Sequence, residues 1–412
     1  MKLIKKIRRF IKTPNLKVYI LYMKIGTYTT EIILALFVYL FRTRKHKLMP
    51  LLKKGFESHP APYDFSDEQF NHMLDRIIDA YKNAKVDQKD IPISYQVGAR
   101  YQNSIEKKYQ PILKALNERD HDSLRKIFEN YQRSSQLAGM GTSGEEYLEA
   151  KRNRIFKYKY LNRWYNYYSK LMDVSKEVEL SYSLVGNPAG IYMDGNIIHP
   201  EGIRFHYTSI EICELLKNIN EPVICEIGTG SGCQAYKVID NFKKPLTYCL
   251  FDIPEVLVFA SFFLMANFPD KKILLHCEKD MSKIDITEYD IILMPNFMVP
   301  YLKDESVDLF FNDCSFTEMD GRAVKEYFKQ IERVNRKYFM HVNHTLKSVW
   351  NFDGIRTENL PAGKIEPDPE YFKRIYKHYR VFRDRNEKIF YFFSGVEHFA
   401  FLYEKFKSTK KK

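Results

Sequence analysis

The chain has 412 residues, 45% of them apolar and 28% charged, with a formal net charge of +13. Its length exceeds what a single catalytic domain usually needs, and its apolar load excludes a disordered chain. A nucleic-acid substrate is excluded once the charge is located: residues 1–50 hold twelve Lys/Arg and one acid, residues 405–412 hold five lysines and no acid, and the stretch between is mildly acidic.

In residues 1–50, Leu3, Ile4, Ile7, Phe10 and Ile11 recur at roughly helical spacing among Lys5, Lys6, Arg8 and Arg9. This is the pattern of a basic amphipathic helix on an anionic membrane surface, and equally of a helix packed on the body with a solvated basic face. Ile32–Phe41 is wholly apolar but ten residues long, short of the roughly 20 that span a bilayer. No small-residue cleavage site follows it. Residues 51–64, with Pro60 and Pro62, read as a linker. Residues 65–180 read as a helical accessory domain, opened by a Ser66/Gln69 capping box ahead of Phe70, Met73, Leu74, Ile77 and Ile78.

From 181 to 404 the text changes. Turn signals at Gly186-Asn187-Pro188, Gly190 and Pro200-Glu-Gly202 precede alternating strands and helices. Helices are expected at Ile210–Asn218, at Cys233–Asn241 and from Pro254 to about Phe268. Strands are expected at Val223–Gly228, Thr247–Asp252, Ile273–Cys277, Ile291–Met294, Leu309–Asn312 and Tyr338–Val342. Ile389–Phe393 and His398–Tyr403 read as a closing hairpin, and residues 405–412 as a basic tail. The expected class is α/β: a Rossmann-like, mostly parallel sheet of the methyltransferase variant, closed by an antiparallel C-terminal hairpin and preceded by the helical region. The six cysteines, all between Cys213 and Cys314, show no CxxC pair and no zinc spacing, so free thiols in a reducing, cytoplasmic setting are expected.

The chemistry concentrates at Glu226-Ile-Gly228-Thr-Gly230-Ser-Gly232, where a strand opens into a helix. Glycines let the backbone turn sharply and approach a ligand. A dinucleotide fingerprint would need glycine at 233, which is Cys. The acid at 226 suits an ammonium rather than a pyrophosphate. Asp252, at the end of the next strand, suits two ribose hydroxyls. S-adenosylmethionine is therefore the expected cofactor, ahead of NAD. Two strands compete to supply the adenine contact, which leaves Cys277, Glu278 and Asn296 as candidates.

Leu309-Phe-Phe-Asn312-Asp-Cys-Ser315-Phe-Thr-Glu318-Met319 resembles the fourth-strand motif of the sugar O-methyltransferase family, where a strand ends in Asn and runs into Ser-x-x-Glu-Met. Glu129–Arg133 through Gly139, Gly186-Asn187-Pro188, His206-Tyr207 and Phe251–Glu255 are similar to other segments of that family, so the resemblance covers roughly residues 66–404. At Asn343-His344 the family pattern would have Asn-Arg. The resemblance implies methyl transfer to a sugar hydroxyl in a surface glycan. It also implies a place for Asn312 in the cofactor site, and for Ser315, His206 and Tyr207 near the acceptor.

Glu318, just past a strand's carboxyl end, is the first candidate for general base and His344 the second. Against these stand a helix-capping role for Glu318 and a core role for His341 or His344. Asp313 is an alternative metal ligand with no second acid at suitable spacing, so no metal is expected. Other acceptors (a small molecule, lipid or protein) stay open. So does a non-catalytic scaffold whose pocket is filled by Phe316 or Met319.

Overall fold

The computed structural model describes residues 54–134, 144, 147–148, 151, 182–193, 196–380 and 397–407. The basic segment 1–50, the tail from 408, most of 135–181 and the expected strand Ile389–Phe393 lie outside them. Among the described residues no helix is long and apolar enough to cross a membrane.

Among the described residues four helices come first: α1 (Asp67–Asp87), α2 (Ala99–Lys108), α3 (Gln110–Glu118) and α4 (His121–Phe128). The capping box that opens α1 is formed in both directions, Gln69 N–H to Ser66 Oγ and Ser66 N–H to Gln69 Oε1. A short hairpin, β1 (Ile191–Met193) and β2 (Asn196–Ile198), leads into α5 (Pro200–Leu216). This helix begins ten residues before its expected start. Pro200-Glu-Gly202, read as a turn, is instead its first turn: the His199 side chain accepts the Glu201 N–H, and proline loses no hydrogen bond at that position.

The alternating unit then runs β3 (Val223–Ile227), α6 (Cys233–Phe242), β4 (Thr247–Asp252), α7 (Pro254–Asn267), β5 (Ile273–Leu275), β6 (Ile291–Pro295), β7 (Val307–Asp313), α8 (Gly321–Val334) and β8 (Asn335–His344). A second hairpin, β9 (Val349–Phe352) and β10 (Ile355–Glu358), precedes β11 (Phe372–Tyr379) and β12 (His398–Lys405).

One eight-stranded sheet collects most of these, in the order β11-β12-β8-β7-β3-β4-β6-β5. From β8 to β5 neighbouring strands are parallel, while β12 runs antiparallel to both β8 and β11. A reversed strand inserted beside the edge is the feature expected of the methyltransferase variant. Its hairpin partner is Phe372–Tyr379, a segment not predicted as a strand: four of its eight side chains are exposed, Lys373, Arg374 and Lys377 among them, and charges are common on edge strands.

The chain leaves β3 toward β4 on one side and returns to pair β7 on the other. The carboxyl ends of β3 and β7 therefore flank the switch point, where open α/β sheets form a crevice.

Helix α7 explains how the N-terminal helices attach. Every residue from Pro254 to Ala266 is buried, so it has no solvent face and lies between two layers. One layer is the sheet; the other is α1 with α3 and α4. Phe128 stacks on Phe262 with ring centroids 4.4 Å apart, and Phe70, Tyr109 and Tyr131 complete an aromatic cluster around Phe259 and Phe262.

Candidate active site

The β3 strand is buried along its whole length and ends at a turn that only glycine makes easily. Gly228, Gly230 and Gly232 have φ of +78°, +58° and +81°. At Gly228 space is also limiting, since a Cβ there would stand 2.0 Å from Ser315 Oγ.

Two carboxylates flank this turn on the same face of the sheet. Asp252, closing β4, accepts the Gly230 N–H through Oδ2 at 2.9 Å and the Ile253 N–H through Oδ1 at 2.7 Å. An ionised carboxylate offers about four acceptor positions, so roughly two remain for a ligand. Burial raises Asp252 to about 7. The Gly230 and Ile253 amides oppose that rise, and Glu318 and Glu255 add to it. Glu226 is only 2% exposed and accepts the Tyr248 hydroxyl at 2.9 Å. Burial drives its carboxyl well above the ordinary range; Tyr248 opposes this, and Asp313 and Asp252 reinforce it.

Asn312 and Ser315 tie the strand ends together. Asn312 Nδ2 donates to the Ile227 carbonyl at 2.8 Å and to Ser315 Oγ at 2.5 Å, and its Oδ1 accepts from Asn343 Nδ2 at 2.8 Å. Asn343 Oδ1 in turn accepts the Thr317 N–H and hydroxyl. The network joins β3, β7 and β8 directly beneath the glycine turn. Asn312 and Ser315 therefore lie at the expected end of the sheet, with these polar atoms engaged by protein.

Glu318 stands above this network. Its Oε2 accepts the Tyr101 hydroxyl at 2.9 Å, and its Oε1 pairs with Arg100 Nη1 at 2.7 Å. The capping alternative is not realised, because Asp320 caps α8 by accepting the Arg322 N–H. Arg100 and Tyr101 belong to α2, so the N-terminal layer roofs the site. Burial raises the Tyr101 phenol well above its ordinary value, with Glu318 and Asp252 adding to the shift.

His344 ends β8 opposite His398 of β12, their rings meeting edge to face at 5.8 Å. The core histidine is His341: it is fully buried, stacks on Phe401 at 4.6 Å, and burial lowers it to about 3. Phe316 is likewise a core residue, among Tyr327, Phe328 and Phe339.

His206 and Tyr207 are not brought to the glycine turn. His206 meets Asn241 in the last turn of α6, and Tyr207 is a partly exposed ring under the Arg380 guanidinium. Asp313 pairs with Arg204, which also holds Glu201 at 2.8 Å.

Strand order separates the adenine candidates. β6 adjoins β4 and β5 forms the edge, so Asn296 follows the strand next to Asp252. Its Nδ2 donates to the Tyr95 carbonyl and the Tyr327 hydroxyl. Glu278, on the edge, is paired with Arg76 at 2.6 Å, and Cys277 beside it is exposed.

No protein-family model matches the chain, and no curated protein matches it. The family resemblance thus rests on the motif residues alone. Among solved structures, a SAM-dependent methyltransferase from Aquifex aeolicus is 12% identical, covering 57% of this chain and 97% of its own with a TM-score of 0.28. The PH0226 protein of Pyrococcus horikoshii is 13% identical over 50% of this chain and 91% of its own, with a TM-score of 0.33. A Haemonchus contortus phosphoethanolamine N-methyltransferase, solved with S-adenosylhomocysteine, is 11% identical over 49% and 53%, with a TM-score of 0.31. Each aligns with only about half of this chain, and strand order is what defines the fold.

Proposed function

We propose that the chain is an S-adenosylmethionine-dependent O-methyltransferase whose acceptor is a sugar hydroxyl of a surface polysaccharide or glycan. The observation that carries the reading is Asp252, which closes β4 beside the switch point and is held against the glycine turn by the Gly230 and Ile253 amides with acceptor capacity left over. The residues fit that cofactor: a turn of three glycines at positive φ that brings bare backbone to the strand end, an acid before it for an ammonium, and an acid after it for a ribose diol. Bound there, S-adenosylmethionine would supply an activated methyl group for transfer to the acceptor oxygen.

This chain's residues do the rest. Glu226 would hold the ammonium end of the cofactor and Asp252 its ribose, with Asn296 the residue placed to meet its base. Glu318 accepts the acceptor hydroxyl's proton as the new C–O bond forms, while Arg100 and Tyr101 fix its carboxylate. His344 stands at the next strand end as the second candidate base. The sugar acceptor rests on the Asn312–Met319 motif. An anionic membrane surface remains the proposed partner of residues 1–50, and the cytoplasmic face the proposed location.

Calorimetry with S-adenosylhomocysteine tests the cofactor. Tritiated methyl transfer to glycan, lipid and protein fractions of the cell envelope tests the acceptor. Label confined to lipid or protein sinks the sugar reading. A second reading draws on Glu318, both of whose oxygens are already engaged within the protein: a scaffold that binds the cofactor without turnover. It would show normal calorimetry and no label in any fraction.

A further inference from the structure

The hairpin of β9 and β10 rises between the carboxyl end of β8 and β11, next to the roof of the site. It is fastened to α2: the Ala99 N–H donates to Thr357 Oγ1 at 2.9 Å, and a Cβ on Gly98 would lie 3.1 Å from the same oxygen. Register places Trp350 opposite Thr357 and Phe352 opposite Ile355, so these four share one face of the hairpin. Thr357 is buried against α2, whereas Trp350 and Ile355 each keep 41% of their surface exposed. The Arg100 guanidinium sits over the indole, 5.3 Å from the ring centroid, and the same guanidinium pairs with Glu318 at 2.7 Å. The exposed indole is therefore one guanidinium away from the candidate base.

We infer that Trp350 is the platform of a second sugar subsite, receiving the pyranose ring next to the one that is methylated. This rests on the sugar-acceptor reading above and extends it to a substrate of at least two rings. A pyranose presents a flat set of C–H bonds, which a large polarisable aromatic face binds by dispersion and through its quadrupole. Its hydroxyls call for directed donors and acceptors, and the Arg100–Glu318 pair adjoins the indole. The other face of the hairpin carries Asn351, Arg356 and Glu358, the last paired with Lys347 and opposite the exposed Val349, and the tip is Asp353-Gly354. A polar tip and a charged reverse face disfavour insertion into a bilayer.

The test uses the full chain labelled with 15N and saturated with S-adenosylhomocysteine. It contains two tryptophans, Trp164 and Trp350, so Trp350→Phe assigns the indole N–H signals. Cellobiose, maltose and chitobiose are titrated, with sorbitol as the acyclic control and anionic phospholipid vesicles as a separate arm. The expected result is a saturable shift of the Trp350 signal with at least one disaccharide. Trp350→Ala should weaken that disaccharide about tenfold and leave S-adenosylhomocysteine affinity unchanged. No shift with any disaccharide, an equal shift with sorbitol, or a response to vesicles alone overturns the subsite. Failure of S-adenosylhomocysteine to bind overturns the methyltransferase reading, and the subsite with it.

Discussion

The carboxylate of Asp252 accepts the N–H of Gly230 at 2.9 Å, fixing the end of β4 against the turn that follows β3. The bond does two things. It fixes a half-buried acid at the end of β4 beside the switch point, and it stabilises a glycine held at φ +58°. Burial lifts the acid to about 7, so its charge changes within the physiological range.

Cofactor binding should therefore depend on pH. The folded-state value lies above the unfolded one, so without ligand the fold holds a proton that the unfolded chain releases, and this stabilisation is lost as pH rises toward 7. Accepting ribose hydroxyls beside a cationic sulfonium requires the carboxylate. Affinity should rise with pH up to about 7 and level off above it, and Asp252→Asn should flatten the curve. Calorimetry at several pH values checks this; a wild-type curve as flat as the variant's contradicts it.

Gly228→Ala should be strongly destabilising. Its Cβ would collide with Ser315 Oγ at 2.0 Å and Ser315 Cβ at 2.3 Å, at a φ of +78°. Overpacking costs roughly 1–3 kcal/mol and the left-handed backbone roughly 1–2 more. Adding Ser315→Gly removes the collision but not the backbone cost, so urea unfolding of the double variant should show partial recovery. Ser315→Ala in its place should recover little, because that Cβ stays.

Glu318→Gln should lower kcat by about a hundredfold or more if the carboxylate takes the acceptor proton, with cofactor affinity almost unchanged. Tyr101→Phe removes one of its two partners and should lower kcat less. Unchanged turnover in Glu318→Gln would pass the base role to His344, to be read from His344→Ala.

Arg204→Met should remove the guanidinium that faces Asp313 in a place where both side chains are less than a tenth exposed. Breaking such a pair costs about 3–5 kcal/mol. Arg204→Met with Asp313→Leu should recover much of that loss, which a double-mutant cycle in urea would show.

Much of this was legible because it is local. The β3 turn, the Asp252 strand end and the alternating elements are written within short windows, where periodicity and glycine spacing act directly. The roof was not legible: Arg100 and Tyr101 reach Glu318 across more than two hundred residues, and nothing in their own neighbourhood marks them. Strand β11 was missed because its side chains are those of a solvated edge. The start of α5 was missed because histidine was not expected as its cap. Asn296 could be separated from Cys277 and Glu278 only by strand order, a tertiary fact. His206 and Tyr207 share a helix whose near end approaches the site, but their own side chains serve α6 and Arg380.

The central claim is that the glycine turn and its two carboxylates hold an adenosyl sulfonium. Calorimetry of S-adenosylmethionine with the full chain and with Asp252→Ala, both first shown to be folded, tests it most directly. Micromolar binding by the first and none by the second is predicted. No binding heat from the folded wild-type chain, or equal affinity in both, would contradict the account.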